Sequence, residues 1–127
     1  AVYQRRWNDQ DVAVKQFHET IPTELCHREV GVMKHLSEVA RHRNVVALLA
    51  VITDPCVCLV MELCTGGTLH RAFRDPTFER VPRWGVLCQV SSALAHVHAL
   101  GILHRDLKSD NVMLLEPVPQ GVTPVAK

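Results

Sequence analysis

The sequence predicts an α+β fold in two unequal parts. Three features carry that prediction. Short β-branched runs and one amphipathic stretch fill residues 1–63. A Gly-bearing loop, CTGGT (64–68), interrupts them. The remainder is mostly helical in pattern. The 127 residues suit one small domain or part of a larger one. Apolar residues make up 47% and charged residues 21%, which is globular composition, neither disordered nor membrane-spanning. The longest apolar runs, VVALLAVI (45–52) and CVCLVM (56–61), are too short to cross a bilayer. The first residues, AVYQRRWNDQD, turn polar at once and do not resemble a signal peptide. A net charge of +1 gives no electrostatic case for nucleic acid, and the eight His add charge only below about pH 6.5.

The elements follow in order. DVAVKQF (11–17) alternates and is β-branched, so it reads as a strand, and VYQRRW (2–7) is its hairpin partner through the turn NDQ (8–10). From Pro22 to Glu38 the period changes to that of a helix. Thr20 or Thr23 can cap it, Pro22 suits a first turn, and Leu25, Val32, Met33 and Leu36 fall near one face. Two strands, 45–53 and 57–62, flank a turn at TDP (53–55). A short helix spans Leu69 to Arg74 and a break covers RDPTFERVP (74–82). Pro82 then opens a long helix over 83–100, whose stripe of Trp84, Leu87, Val90, Leu94 and Val97 is expected to be buried. Gly101 ends it. A short strand, VMLL (112–115), a Pro-rich connection (116–124) and the start of another strand (125–127) complete the chain.

The five Cys are scattered, odd in number and without a secretory signal, which points to reduced thiols and a cytoplasmic location. Cys56 and Cys58 alternate beside Leu and Val and read as small buried hydrophobes. No C-x-x-C pair is present for a metal. His96 and His98, two apart, point in different directions on a helix and do not make a zinc pair.

The chemistry concentrates in HRDLKSDN (104–111), between two apolar runs. Asp106 stands beside Arg105 and two residues before Lys108, so it stays ionised at neutral pH. It can accept or orient the proton of a substrate hydroxyl. Lys108 can stabilise negative charge developing on a transferred group. Asn111 offers an amide oxygen to a hard cation such as Mg2+. An Asp-rich turn between helix and strand is also a common structural device, but the eight-residue pattern is far more specific than Arg-Asp alone.

HRDLKSDN resembles the catalytic loop of eukaryotic protein kinases, H-R-D-L-x-x-x-N. Three further stretches agree in order: VAVK (12–15) with the V-A-I-K strand, REVGVMKHL (28–36) with the helix that carries a partner Glu, and LVMELCTGGTL (59–69) with the last N-lobe strand and hinge. The resemblance runs from Val2 to Lys127. It implies a bilobal protein-kinase fold, here incomplete. Residues 1–63 would be the N-lobe, an antiparallel sheet plus one helix, without its Gly-rich loop. Residues 64–127 would be the hinge and the first part of a helical C-lobe, ending before D-F-G. It implies ATP and Mg2+ as cofactors and phosphoryl transfer to Ser or Thr of a protein substrate. Lys15 would grip the α- and β-phosphates and pair with Glu29, with Glu24 as the alternative partner. Asp106 would be the catalytic base, Lys108 a γ-phosphate contact and Asn111 a Mg2+ ligand. Val2, Ala13 and Met113 would sandwich the adenine, with Met61 as gatekeeper. Backbone groups of Glu62 and Cys64 would bond its edge, and Thr68 would lie near the ribose. Lys108 is similar to the serine/threonine pattern, and the whole looks like the tyrosine-kinase-like group, with a 116–124 connection similar to Roco-type kinases.

Lys15 on an inner strand is costly unless paired, whereas Val2, Ala13, Met61 and Met113 suit any apolar core and Glu29 suits any solvated helix face. The family's Gly-rich loop would precede Ala1 and its D-F-G would follow Lys127. The expectation is therefore a piece of an active kinase that is inactive by itself and folds poorly, because helix 83–100 would expose a stripe. LSEVARHRN (36–44) is longer than the usual link and is expected to extend the first helix by about a turn. Two other functions compete: a pseudokinase scaffold or allosteric module, against which Lys15, Glu29, Asp106 and Asn111 speak, and a Cys/His metal-binding module.

Overall fold

The computed structural model describes residues 1–78, 80–118 and 121–127. Parts of the break at 74–82 and of the connection at 116–124, namely residues 79 and 119–120, lie outside the described residues. The chain divides into two compact units, Ala1–Leu63 and Cys64–Lys127. Among the described residues no helix is long and apolar enough to cross a membrane.

The first unit is a four-stranded antiparallel sheet with one helix. Strands β1 (Val2–Trp7) and β2 (Gln10–Gln16) form a hairpin with Trp7 opposite Gln10. Its turn is the pair Asn8–Asp9, both at positive φ, a conformation that Asn and Asp tolerate best after Gly. Strands β3 (Leu48–Ile52) and β4 (Cys58–Glu62) complete the order β1-β2-β4-β3. Helix α1 (Thr23–Glu38) packs through Cys26, Val30 and Met33 against Phe17 and Leu59.

Several expectations for this unit are corrected. Leu25 is 56% exposed, because the buried side of α1 is set by Cys26, Val30 and Met33, one residue round the helix. Pro22, not a Thr side chain, occupies the N-cap. The helix gains no extra turn after Glu38. The Arg41 guanidinium instead donates to the Ser37 carbonyl at the helix end. The third strand starts at Leu48 rather than at 45, since the Leu48 amide donates to the buried Ser37 hydroxyl (2.7 Å) and a bulge follows before Ala50.

The second unit holds α2 (Leu69–Arg74), α3 (Arg80–Ala99) and a 3-10 turn, Ser109–Asn111. The Thr68 hydroxyl caps α2 by accepting from the Arg71 amide (3.2 Å). Residues 65–69 are zipped to 112–115 by four main-chain bonds: Thr65 N to Leu115 O, Gly66 N to Leu114 O, Leu114 N to Gly67 O and Leu69 N to Val112 O. Met113 in turn exchanges both bonds with Lys127. VMLL is thus paired on both sides, through isolated bridges rather than a continuous strand. Leu69, Phe78, Val86, Val112, Leu114 and Ala126 form the core of this unit.

Helix α3 begins at Arg80, so Pro82 lies inside its first turn, where a missing N–H costs nothing. Its inward side keeps only part of the expected stripe: Val90 packs against the core, but Trp84 is 60% and Leu87 43% exposed, whereas Val86 is fully buried. Two residues rotate that face. Gly85 leaves room for Thr123, whose side chain would lie 2.3 Å from an added Cβ. The Gln89 amide donates to Pro124 O (2.8 Å) and accepts from Ala126 N (2.9 Å), so segment 123–126 runs along this side. Gly101, at φ +73°, ends the helix as its position predicts.

An added Cβ at Gly66 would meet the Glu116 carbonyl oxygen at 2.3 Å, while Gly31, inside α1, faces open space. Gly66→Ala is therefore expected to lower stability by about 1–3 kcal/mol. Gly31→Ala is expected to raise it by roughly 0.5–1 kcal/mol. Urea unfolding of the two variants checks both signs, and an unchanged midpoint for Gly66→Ala would disprove the close approach of 66 and 116.

Candidate active site

Each unit contributes one cluster of charged side chains. In the first, the β2 alternation that buries Val12 turns Lys15 to the other face of the sheet, the side on which α1 lies. Its Nζ sits 2.5 Å from Glu29 Oε1 on α1 and 5.2 Å from the centre of the Phe17 ring. Glu29, not Glu24, takes the cation. Both side chains are a little over a third exposed. The pair therefore adds at most about 1 kcal/mol of stability, and its main effect is to hold an ammonium at a fixed place. On the neighbouring strands Ala13 lies opposite Met61, and Val2 opposite Lys15. Ala13 and Met61 are half-buried, and Val2 is exposed. Glu62 Oε1 accepts from the Ala47 amide (2.8 Å), which ties the end of β4 to the start of β3.

The second cluster is the loop between α3 and the 3-10 turn. Arg105 adopts φ +63°, a left-handed conformation that turns the chain sharply just before Asp106. The Asp106 amide donates to His104 Nδ1 (3.3 Å). Asp106 Oδ2 lies 3.3 Å from Lys108 Nζ, and the Asn111 amide donates to that same oxygen (3.0 Å) and to the Asp106 carbonyl (2.8 Å). With its NH2 group so engaged, Asn111 presents its carbonyl oxygen, a hard donor without a partner among the described residues. Lys108 and then Asn111 hold the Asp106 carboxyl below the usual aspartate range.

Thr68 and Met113 face each other across an antiparallel bridge, and Cys64 is half-buried at the start of this unit. Spacing alone does not mark His104 as an anchor, although its place at the head of the motif is a signal. His70 is unmarked in the sequence, and its Nδ1 lies 3.4 Å from the Ser109 hydroxyl and 4.0 Å from Asp110. No sequence pattern pairs residues so far apart. Among the described residues no group of three His, Cys, Asp or Glu is placed to hold a metal ion.

Chemically, the second cluster is an ionised carboxylate at a loop, an exposed ammonium beside it and an amide oxygen without a partner among the described residues. The first is an ammonium fixed by a carboxylate. Such groups suit proton acceptance from a hydroxyl, neutralisation of an anionic group and ligation of a hard cation.

The family model described as "Protein kinase domain" matches residues 1–120. Mitogen-activated protein kinase kinase kinase 11 of Homo sapiens is 34% identical over 132 residues, covering 92% of this chain and 14% of its own length. Mitogen-activated protein kinase kinase kinase dlk-1 of Caenorhabditis elegans is 30% identical over 118 residues, covering 90% of this chain and 12% of its own. Calcium/calmodulin-dependent protein kinase type IV of Mus musculus is 33% identical over 117 residues, covering 90% and 24%. The chain thus spans at most about a quarter of the length of these relatives.

Because the folded carboxyl of Asp106 is depressed, the stabilisation from its contacts is present above the unfolded value of about pH 4. It is lost as the pH falls through the lowered folded value. A carbon-detected NMR titration should place the Asp106 midpoint below that of an ordinary aspartate, and Lys108→Met should move it upward. Identical midpoints in the two proteins would show that the ammonium does not hold the carboxylate.

Proposed function

The chain belongs to the protein kinase domain family, and from that premise we propose that it supplies part of the catalytic machinery of an ATP-dependent protein serine/threonine kinase. The observation that carries this reading is the Asp106 cluster: a carboxylate kept ionised by Lys108 and Asn111 within H-R-D-L-K-x-x-N. The chain spans only a small share of its relatives, so turnover is assigned to the natural polypeptide that carries these residues.

Bound Mg-ATP supplies the transferable γ-phosphoryl group and the cation that shields its charge. The donors present suit it: an ammonium at Lys15 for phosphate oxygens, and the Asn111 carbonyl oxygen for Mg2+. Asp106 accepts the proton of the substrate Ser or Thr hydroxyl as it attacks. Lys108 neutralises charge on the group in transit, and Glu29 holds Lys15 where it meets the α- and β-phosphates. Family likeness assigns adenine contacts to Val2, Ala13, Met61 and Met113. Backbone bonds to the adenine fall to Glu62 and Cys64, and a ribose contact to Thr68. On the same likeness residues 1–63 are read as an N-lobe portion, and 64–127 as hinge and start of the C-lobe. Lys15, Glu29, Asp106 and Asn111 are all retained, which favours turnover over a silent scaffold. The Ser/Thr preference rests on Lys108, the residue type that family resemblance associates with that class.

The test is transfer of labelled phosphate from ATP to protein by the natural full-length polypeptide. Asp106→Asn is expected to lower kcat by about 10²–10⁴-fold with little change in KM for ATP. Lys15→Met should instead also weaken ATP binding. Unimpaired turnover by Asp106→Asn would remove the proposed base, and label found on tyrosine alone would overturn the Ser/Thr assignment.

A further inference from the structure

The first unit contains a second reactive group, independent of the proposed phosphoryl transfer. Cys56 and Cys58 are free thiols with Sγ atoms 3.6 Å apart. Their settings differ. Cys58 opens β4, opposite Gln16 and Ile52, and is buried. Cys56 lies in the bend ahead of β4, outside the ladder, and is only half-buried. The Gln16 amide donates to Cys56 Sγ (3.3 Å). Burial and the neighbouring Cys56 sulfur push the Cys58 thiol up, so Cys58 keeps its proton while Cys56 meets solvent. Of the other thiols, Cys26 is buried on α1 in the cluster with Phe17 and Leu59, and Cys64 and Cys88 belong to the other unit.

We propose that Cys56 and Cys58 form an oxidisable dithiol, with Cys56 attacked by hydrogen peroxide and Cys58 closing a reversible disulfide. In the first step the Cys56 thiolate attacks one peroxide oxygen. An S–O bond forms, the O–O bond breaks, and hydroxide leaves with the electron pair. Sulfur is oxidised by two electrons to the sulfenic acid and peroxide is reduced. In the second step Cys58 sulfur attacks Cys56 Sγ. The S–S bond forms, the S–O bond breaks, and the departing hydroxide takes the Cys58 proton as water. The net reaction consumes two thiols and one peroxide and yields one disulfide and two waters.

The geometry favours this pairing. The sulfurs must close from 3.6 Å to about 2 Å, and the residue that moves is Cys56, which no ladder bond restrains. Cys58 stays in place in the sheet. Closure takes Cys56 Sγ away from the Gln16 amide, next in sequence to Lys15. Two residues of spacing make a small ring, so the disulfide is strained and readily reduced, as a reversible device requires.

The test uses the full chain: brief hydrogen peroxide, alkylation with N-ethylmaleimide, proteolysis and mass spectrometry. The peptide holding both Cys should become lighter by two hydrogens and lose both alkylation sites, and dithiothreitol should restore them. In Cys58→Ala, Cys56 should accumulate as a sulfenic acid trapped by dimedone. In Cys56→Ala, Cys58 should remain fully alkylatable. The wild-type readout needs no variant, so a misfolded substitution leaves the test intact. The proposal fails if wild-type Cys56 goes on to sulfinic acid while Cys58 stays alkylatable. It also fails if either sulfur pairs with Cys64 or Cys88, or if both stay reduced at a peroxide dose that oxidises the exposed Cys88.

Discussion

A cation on the inner face of a sheet constrains the whole first unit. The alternation of β2 commits Lys15 to the helix-facing side, beside Leu59 of the same layer. Because the side chains of Lys15 and Glu29 are both a little over a third exposed, the pair adds at most about 1 kcal/mol, and what it sets is the position of the ammonium. The rotation of α1 that brings Cys26, Val30 and Met33 onto Phe17 and Leu59 also brings Glu29 to within 2.5 Å of Lys15. Apolar packing and charge pairing therefore select one and the same helix orientation. Leu25 is exposed as a consequence, since it lies a residue away from that face.

The second unit solves a different problem, how to hold an exposed loop without burying it. Asp106 is exposed, so its position rests on directed bonds. Asn111 spans back to both its carbonyl and its carboxylate, and His104 receives its amide. Behind the loop, the main-chain zipper from 65–69 to 112–115 fixes the residues that follow Asn111 onto a core led by Leu69, Val112 and Leu114. A polar loop anchored on a packed scaffold is how chemistry-bearing groups stay both reachable and ordered.

The thiol pair at the edge of β4 shows the same division between anchored and free. Cys58 is held by the ladder while Cys56 is not, and that asymmetry makes one sulfur the target and the other the resolver. The same edge approaches β2 at Gln16, so strand pairing links the thiols to the residue next to Lys15 without any shared role.

Much of this protein was legible in the sequence, and the reasons are local. Alternation marked β2, and the turn at NDQ made VYQRRW its hairpin partner. The short helix was expected from Leu69 to Arg74, Gly101 ended the long one, and HRDLKSDN announced its cluster through residue types at set spacing. All of these depend on neighbours within about one helical turn or one hairpin. What only the tertiary structure decided was which partners meet across long separations. Periodicity put Leu25, Trp84 and Leu87 inside, yet Cys26 and Val86 are there instead. A helix bears several apolar stripes, and the one buried is chosen by what approaches it: Thr123 against Gly85, Gln89 to the 124–126 backbone, and Lys15 to Glu29 rather than Glu24. The residue types were written in the chain, but the pairing of distant ones followed from close packing and from the cost of leaving a charge or an amide unmatched.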